Sequence, residues 1–260
     1  MITTLLSKQQ LSLINKNTLC YRLAEAEKDY MLTLVLGFIN KSKLKEDLVF
    51  KGGTAIYHCY LPQLRFSEDL DFTSLSAQIN MDDLEEVFKS EDFLEISKKY
   101  KSDSTLKIER LKYQGPLSMP NSLKIEIDFK QNVLLPAIEK TYNNVWGIKL
   151  KVKVMDIREV SAEKLRAMSD RARYRDFYDQ YMISKLYSIN FEEIFGLVKK
   201  KEIREPISHK NIFLNWQIAK EERIKEFQVV YYKEELSNND IEQMIKSLSF
   251  EEIKPHLGEQ

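Results

Sequence analysis

A chain of 260 residues holds one large domain or two small ones, and 43% apolar content with 31% charge is that of an ordinary soluble globular protein. Forty Lys and Arg balance forty Asp and Glu, so a nucleic-acid partner has to be held by a local basic patch rather than by overall attraction. Two cysteines and three scattered histidines give neither a disulfide framework nor zinc or non-haem iron spacing. The first residues, MITTLLSKQQ, lack a basic-then-apolar leader pattern, and no apolar run reaches the roughly 18 residues of a membrane span. A reducing, cytoplasmic setting with no membrane partner is the expectation. With 7 Gly and 6 Pro, long linkers are not expected either.

In chain order, residues 8–40 repeat apolar positions at helical intervals and predict a helix. Residues 47–51 read as a short buried strand, 54–61 as a helix ended by Pro62, and 69–74 as a strand. Acidic residues gathered at 82–86 suit a helix start and predict a helix over 78–100. Clean alternation marks strands at 105–113, 122–130 and 148–155, with a proline-bearing turn at 115–122. That makes five strands. After residue 156 nothing alternates, and 161–187, 191–201, 208–226 and 239–247 read as helices. The expected architecture is α/β (α+β), with a mixed central sheet and flanking helices over 1–157. A helical C-terminal region, 158–260, is expected to complete the active-site cleft.

Two features carry chemistry. The first is Lys51-Gly52-Gly53-Thr54 between a strand and a helix. Glycines let backbone N–H groups approach a ligand, Thr54 can cap the following helix, and a helix N-terminus favours phosphate. The Walker ending Gly-Lys-Ser/Thr is missing. The second is Asp69-Leu70-Asp71, preceded by Arg65 and Ser67. Residues two apart in a strand share a face, roughly 6–7 Å from one another, and two carboxylates so placed suit a divalent cation such as Mg²⁺. A phosphate cradle followed one helix later by a carboxylate pair is what transfer of a nucleotidyl group requires. In the strand at 122–130, Lys124, Glu126 and Asp128 share a face, and either acid can serve as a third ligand.

Downstream, Lys164, Arg171 and Arg175 fall near helical spacing and are read as one basic stripe, with Asp176 and Asp179 together on a face. The densest basic run is Lys199-Lys200-Lys201 with Arg204, and Phe213, Trp216 and Tyr231 are available to stack on bases. His58, on an otherwise apolar helix, reads as a core histidine.

On Lys51-Gly52-Gly53-Thr54-Ala55, on Arg65 to Phe72, and on Glu163 to Ala167 running on to Arg171, Arg175-Asp176 and Tyr178-Asp179, the chain resembles the AbiEii/AbiGii toxin family of nucleotidyltransferases. That family lies within the DNA polymerase β-like nucleotidyltransferase superfamily, and the resemblance covers most of residues 20–190. It implies Mg²⁺-dependent transfer of a nucleoside monophosphate from an NTP to an acceptor hydroxyl. The acceptor would be RNA, a tRNA 3′ end first. It also implies a toxin role beside a cognate antitoxin that need not form a stable complex. The metal ligands would be Asp69, Asp71 and a third acid, for which the family pattern favours Glu126 over Asp128. Lys51, Gly52, Gly53, Thr54, Arg65, Ser67, Lys164, Arg171 and Arg175 would meet the donor, and Asp176 and Asp179 would belong to the active site. The alternatives are nucleotidylation of a protein by the same site, and a non-catalytic nucleotide-binding module.

Overall fold

The computed structural model describes residues 4–76, 79–229 and 231–258, and the chain divides into two compact units. The first comprises 1–130 and 137–154; the second comprises 131–136 and 155–260.

The first unit begins with α1 (Lys8–Asn17) and α2 (Leu23–Lys41). Ser7 caps α1 through a reciprocal capping box with Gln10. The expected single helix is thus two. The Asn15 carboxamide holds both the N–H and the C=O of Tyr21, and Cys20 takes a left-handed φ of 57°. Local hydrogen bonds here outcompete the helical ladder.

Next come β1 (Leu48–Lys51), α3 (Gly52–Ala55) running straight into a π-helical turn (Ile56–Tyr60), and β2 (Asp69–Ser74). Helix α4 (Met81–Phe88) is capped by Asn80 and stops early. Residues 94–101, expected to continue that helix, instead form strand β3 (Leu94–Lys101). Its ladder to β4 (Thr105–Tyr113) overrides the local helical pattern. Gln78, where the helix was expected to start, lies outside the described residues.

Strands β5 (Asn121–Asp128), β6 (Ile138–Thr141) and β7 (Lys151–Val154) complete the sheet. The order is β3-β4-β5-β2-β1-β7-β6, seven strands where five were expected. Both additions are edge strands. The sheet is mixed: β2–β5 and β1–β7 run parallel and the other pairs antiparallel. One face is apolar, with Leu70, Phe72, Ile108, Ile125 and Ile127 buried along with Met31, Leu32 and Val35 of α2. The opposite face carries the polar residues of the same strands, because side chains alternate along each strand. His58 belongs to the core, as expected. It is buried, stacked on Tyr142 at 4.2 Å, and bonded to the Asn143 carbonyl at 2.8 Å.

The second unit is helical: α5 (Ile157–Asp170), α6 (Tyr174–Leu186), α7 (Phe191–Val198), α8 (His209–Val229) and α9 (Asn238–Ser247). Helix α5 starts a turn earlier than expected because Asp156 caps it through the Arg158 N–H. It ends at Asp170, where Arg171 turns extended, so the expected helix over 161–187 is split in two. Its core gathers Leu165, Met168, Phe177, Ile183, Ile212 and Trp216. Residues 131–136 join this unit because the buried Glu159 carboxylate accepts the N–H groups of Leu134 and Leu135, each at 3.0 Å. Among the described residues no helix is long and apolar enough to cross a membrane.

Candidate functional site

Strand β1 delivers Lys51 to the polar face of the sheet, directly opposite Asp71 on β2. Asp71 is in turn directly opposite Glu126 on β5, and Glu126 opposite Lys107 on β4. Partners in a ladder share a face, so four strands present one row: Lys51, Asp71, Glu126, Lys107. One step along β2, Asp69 faces Lys124. Lys107 was not anticipated as part of the site. Alternation places it on the polar side of β4, but only the register places it beside Glu126.

The glycine turn is built against this row. Gly52 has a φ of 77°, and a Cβ there would lie 2.4 Å from Oδ2 of Asp71. Only glycine meets both demands. A Cβ on Gly53 would lie 2.6 Å from Arg65 Nη2 and 2.7 Å from Ser67 Oγ, so the second glycine admits those two side chains. Arg65 is buried, with its guanidinium 5.0 Å from the centre of the Tyr57 ring and Nη1 donating to the Phe66 carbonyl. Thr54 does not cap the helix as expected. It sits inside it, and Oγ1 donates to the Asp69 carbonyl at 2.6 Å, pinning the turn to β2. The sequence-predicted residues Lys51, Gly52, Gly53, Thr54, Arg65, Ser67, Asp69, Asp71, Glu126 and Asp128 thus all lie on adjoining elements of one unit.

The electrostatics are those of crowded acids. Burial, then the nearby charges of Asp69 and Glu126, push the Asp71 carboxyl up to about 6, while Lys51 and Lys124 pull the other way. Burial also raises Glu126, but hydrogen bonds from Lys124 and Lys107 outweigh it and the net shift is down. Those two ammonium groups lie 2.9 and 3.0 Å from its carboxylate. Asp128 sits one row away, opposite Thr73, with its carboxylate 3.6 Å from Lys51 Nζ. Among the described residues no three acids or imidazoles form a ready-made metal cage. The donor set still fits a hard divalent cation, because Mg²⁺ is commonly held by one or two carboxylates and completed by substrate phosphates. Asp69 and Asp71 place two carboxylates at spacing two on β2, and beside them the Glu126 oxygens are held by Lys107 and Lys124.

The second unit carries its own cluster. Lys164 Nζ lies 3.0 Å from Asp176 and 2.7 Å from Asp179, and Arg171 reaches Asp176 at 2.8 Å. Both carboxylates are fully buried. Burial penalises the charge of Asp176, yet Lys164 and Arg171 hold it well below the usual carboxylate range. The basic stripe read from the sequence is not one stripe: Lys164 is on α5, Arg171 is its C-cap and Arg175 is on α6. The expected basic run changes too. Lys201 is buried among Glu159, Glu163 and the Asn132 carbonyl, and Trp216 is buried in the helical core, so neither is available to RNA.

The sequence model of the family described as "Nucleotidyl transferase AbiEii toxin, Type IV TA system" matches residues 34–257. Sequence comparison with curated proteins gives no match. Among solved structures the chain is similar to MenT4, a nucleotidyltransferase toxin from Mycobacterium tuberculosis, with a TM-score of 0.59 and 21% identity over 73% of this chain and 68% of that one. It is also similar to JHP933 from Helicobacter pylori, with a TM-score of 0.54 and 17% identity over 86% and 90% of the two chains. At these identities the likeness is one of fold.

Proposed function

The chain belongs to the nucleotidyl transferase AbiEii toxin family of type IV toxin–antitoxin systems, and on that premise we propose that it transfers a nucleoside monophosphate from an NTP to a hydroxyl of RNA, a tRNA 3′ end first. An antitoxin is the partner such a system supplies. The observation that carries the reading is the row on the sheet: Asp71 opposite Glu126, Asp69 two residues before it, and the Gly52-Gly53 turn packed against Asp71 and Ser67.

Asp69 and Asp71 would hold Mg²⁺, with Glu126 rather than Asp128 as the third acid, because Glu126 shares the row of Asp71. When bound, the ion neutralises triphosphate charge and lowers the barrier to displacement at phosphorus. Lys51, the glycine turn, Arg65 and Ser67 orient the phosphates, and Thr54 pins the turn to β2. In the second unit, Asp176 and Asp179 hold Lys164 in place. The acceptor oxygen bonds to the α-phosphorus, the bond to the β-phosphate bridge breaks, and pyrophosphate leaves. The hydroxyl proton passes to the carboxylate side of the site and on to solvent.

The test incubates the protein with each α-labelled NTP, Mg²⁺, and either total RNA or a protein extract. Label in RNA, lost in Asp71→Asn, supports the reading. Label in protein alone moves the acceptor, and no transfer from a folded sample overturns it.

A further inference from the structure

The row through the site does not stop at Lys107. Lys107 is directly opposite Tyr100 on β3, the outermost strand of the sheet. Tyr100, Lys107, Glu126, Asp71 and Lys51 therefore form one line across five adjacent strands, all on the polar face. At about 4.8 Å per strand, Tyr100 stands roughly 14 Å from Asp71. It is 51% exposed and, among the described residues, makes no ring contact. A large aromatic side chain left open on an edge strand carries no packing reason.

The ground around it is densely charged, with lysines and acids paired. Lys98 on β3 pairs with Glu109, and Lys107 and Lys124 pair with Glu126 in the row itself, so three lysines lie on this face. The other side of β3 is the one toward helix α4, where Lys99 reaches Glu85. The polar side thus presents lysines flanking an aromatic platform, continuous with the carboxylates. That combination suits the backbone and a base of a single strand.

We infer that the polar face of β3–β4–β5 is the path of the acceptor, on which a base of a single-stranded RNA 3′ end stacks on Tyr100 while the terminal hydroxyl reaches the Asp69–Asp71 edge. The inference rests on the RNA-acceptor reading above and adds where and how that acceptor binds. Tyr100 is a positioning residue for the acceptor, not part of the chemistry.

The experiment uses the full chain and two labelled oligoribonucleotides, one with a single-stranded 3′ tail and one blunt-ended. Fluorescence anisotropy without NTP and steady-state transfer are compared for wild type, Tyr100→Ala and Tyr100→Phe. Loss of one stacked base predicts that Tyr100→Ala weakens tailed-RNA binding and raises the acceptor KM about fivefold or more. The NTP KM and the melting temperature stay unchanged, Tyr100→Phe stays close to wild type, and the blunt RNA shows no such effect. If wild type modifies RNA but Tyr100→Ala leaves the acceptor KM unchanged, the platform is wrong and the proposed function stands. Equal loss for tailed and blunt RNA also overturns it. If wild type labels protein and no RNA, the acceptor reading falls and this inference falls with it.

Discussion

Asp71 is ionised at neutral pH against the preference of its surroundings, and replacing it should stabilise the fold while ending transfer. Its folded-state value of about 6 against an ordinary 3.8 means that the folded protein holds the proton more tightly than the unfolded chain. The favourable contribution is therefore complete below about pH 4 and is lost as pH rises through 6. About 2 units at 1.36 kcal/mol each gives about 3 kcal/mol, and residual solvent access at this half-buried residue reduces it to about 2 kcal/mol. Asp71→Asn, which has no charge to lose, should then melt roughly 4–8 °C above wild type at pH 8 in chelator. The gap should open between about pH 4 and 6 and stay level above that. Added Mg²⁺ should raise the wild-type melting temperature and leave the variant unmoved. A variant no more stable than wild type at pH 8, or a gap indifferent to pH across that window, refutes the crowded-carboxylate account.

Glu126→Gln should reduce transfer by about a hundredfold or more, beyond the 10–100-fold typical of outer-shell groups, while Asp128→Asn retains most activity. Parallel Mg²⁺ titrations of the two variants check the assignment, and the reverse ranking would make Asp128 the third acid. Gly52→Ala forces a Cβ into a left-handed backbone beside Asp71, which should cost about 2 kcal/mol or more in urea unfolding and remove transfer together. Lys201→Met strands Glu159 in the helical core and should destabilise by about 3–5 kcal/mol, with Lys201→Met/Glu159→Gln recovering part of the loss.

What the sequence discloses depends on the range of the interaction. Alternation at 69–74, 105–113 and 122–130 yields the inner strands because their apolar residues all meet one core. The edge strands escape for the opposite reason. Beyond Ile96, β3 is exposed on both sides and shows no alternation, and β6 is four residues long. Spacing two brings Asp69 and Asp71 to one face without any tertiary knowledge. Seeing that Glu126 and not Asp128 lies opposite Asp71 needs a register, and so does seeing Lys107 and Tyr100 at all. Lys201 shows the converse error: three consecutive lysines read as a basic surface, yet one is internal because Glu159 and Glu163 come from a helix 38–42 residues earlier.

The segment 131–136 has a consequence for how the protein is made. The chain leaves the sheet at Lys130, is held by Glu159 and by Lys201 through Asn132, and returns to lay down β6 and β7 before leaving again after Val154. During synthesis the carbonyl of Asn132 waits for a lysine about seventy residues downstream, and β1 waits for β7 to cover its free edge. A nascent chain that already displays the Asp69–Asp71 pair is still an incomplete sheet. The face that carries Asp69, Asp71 and Glu126 is thus assembled late, and a cut at any single point between the units leaves one of them without a piece that the other half of the sequence supplies.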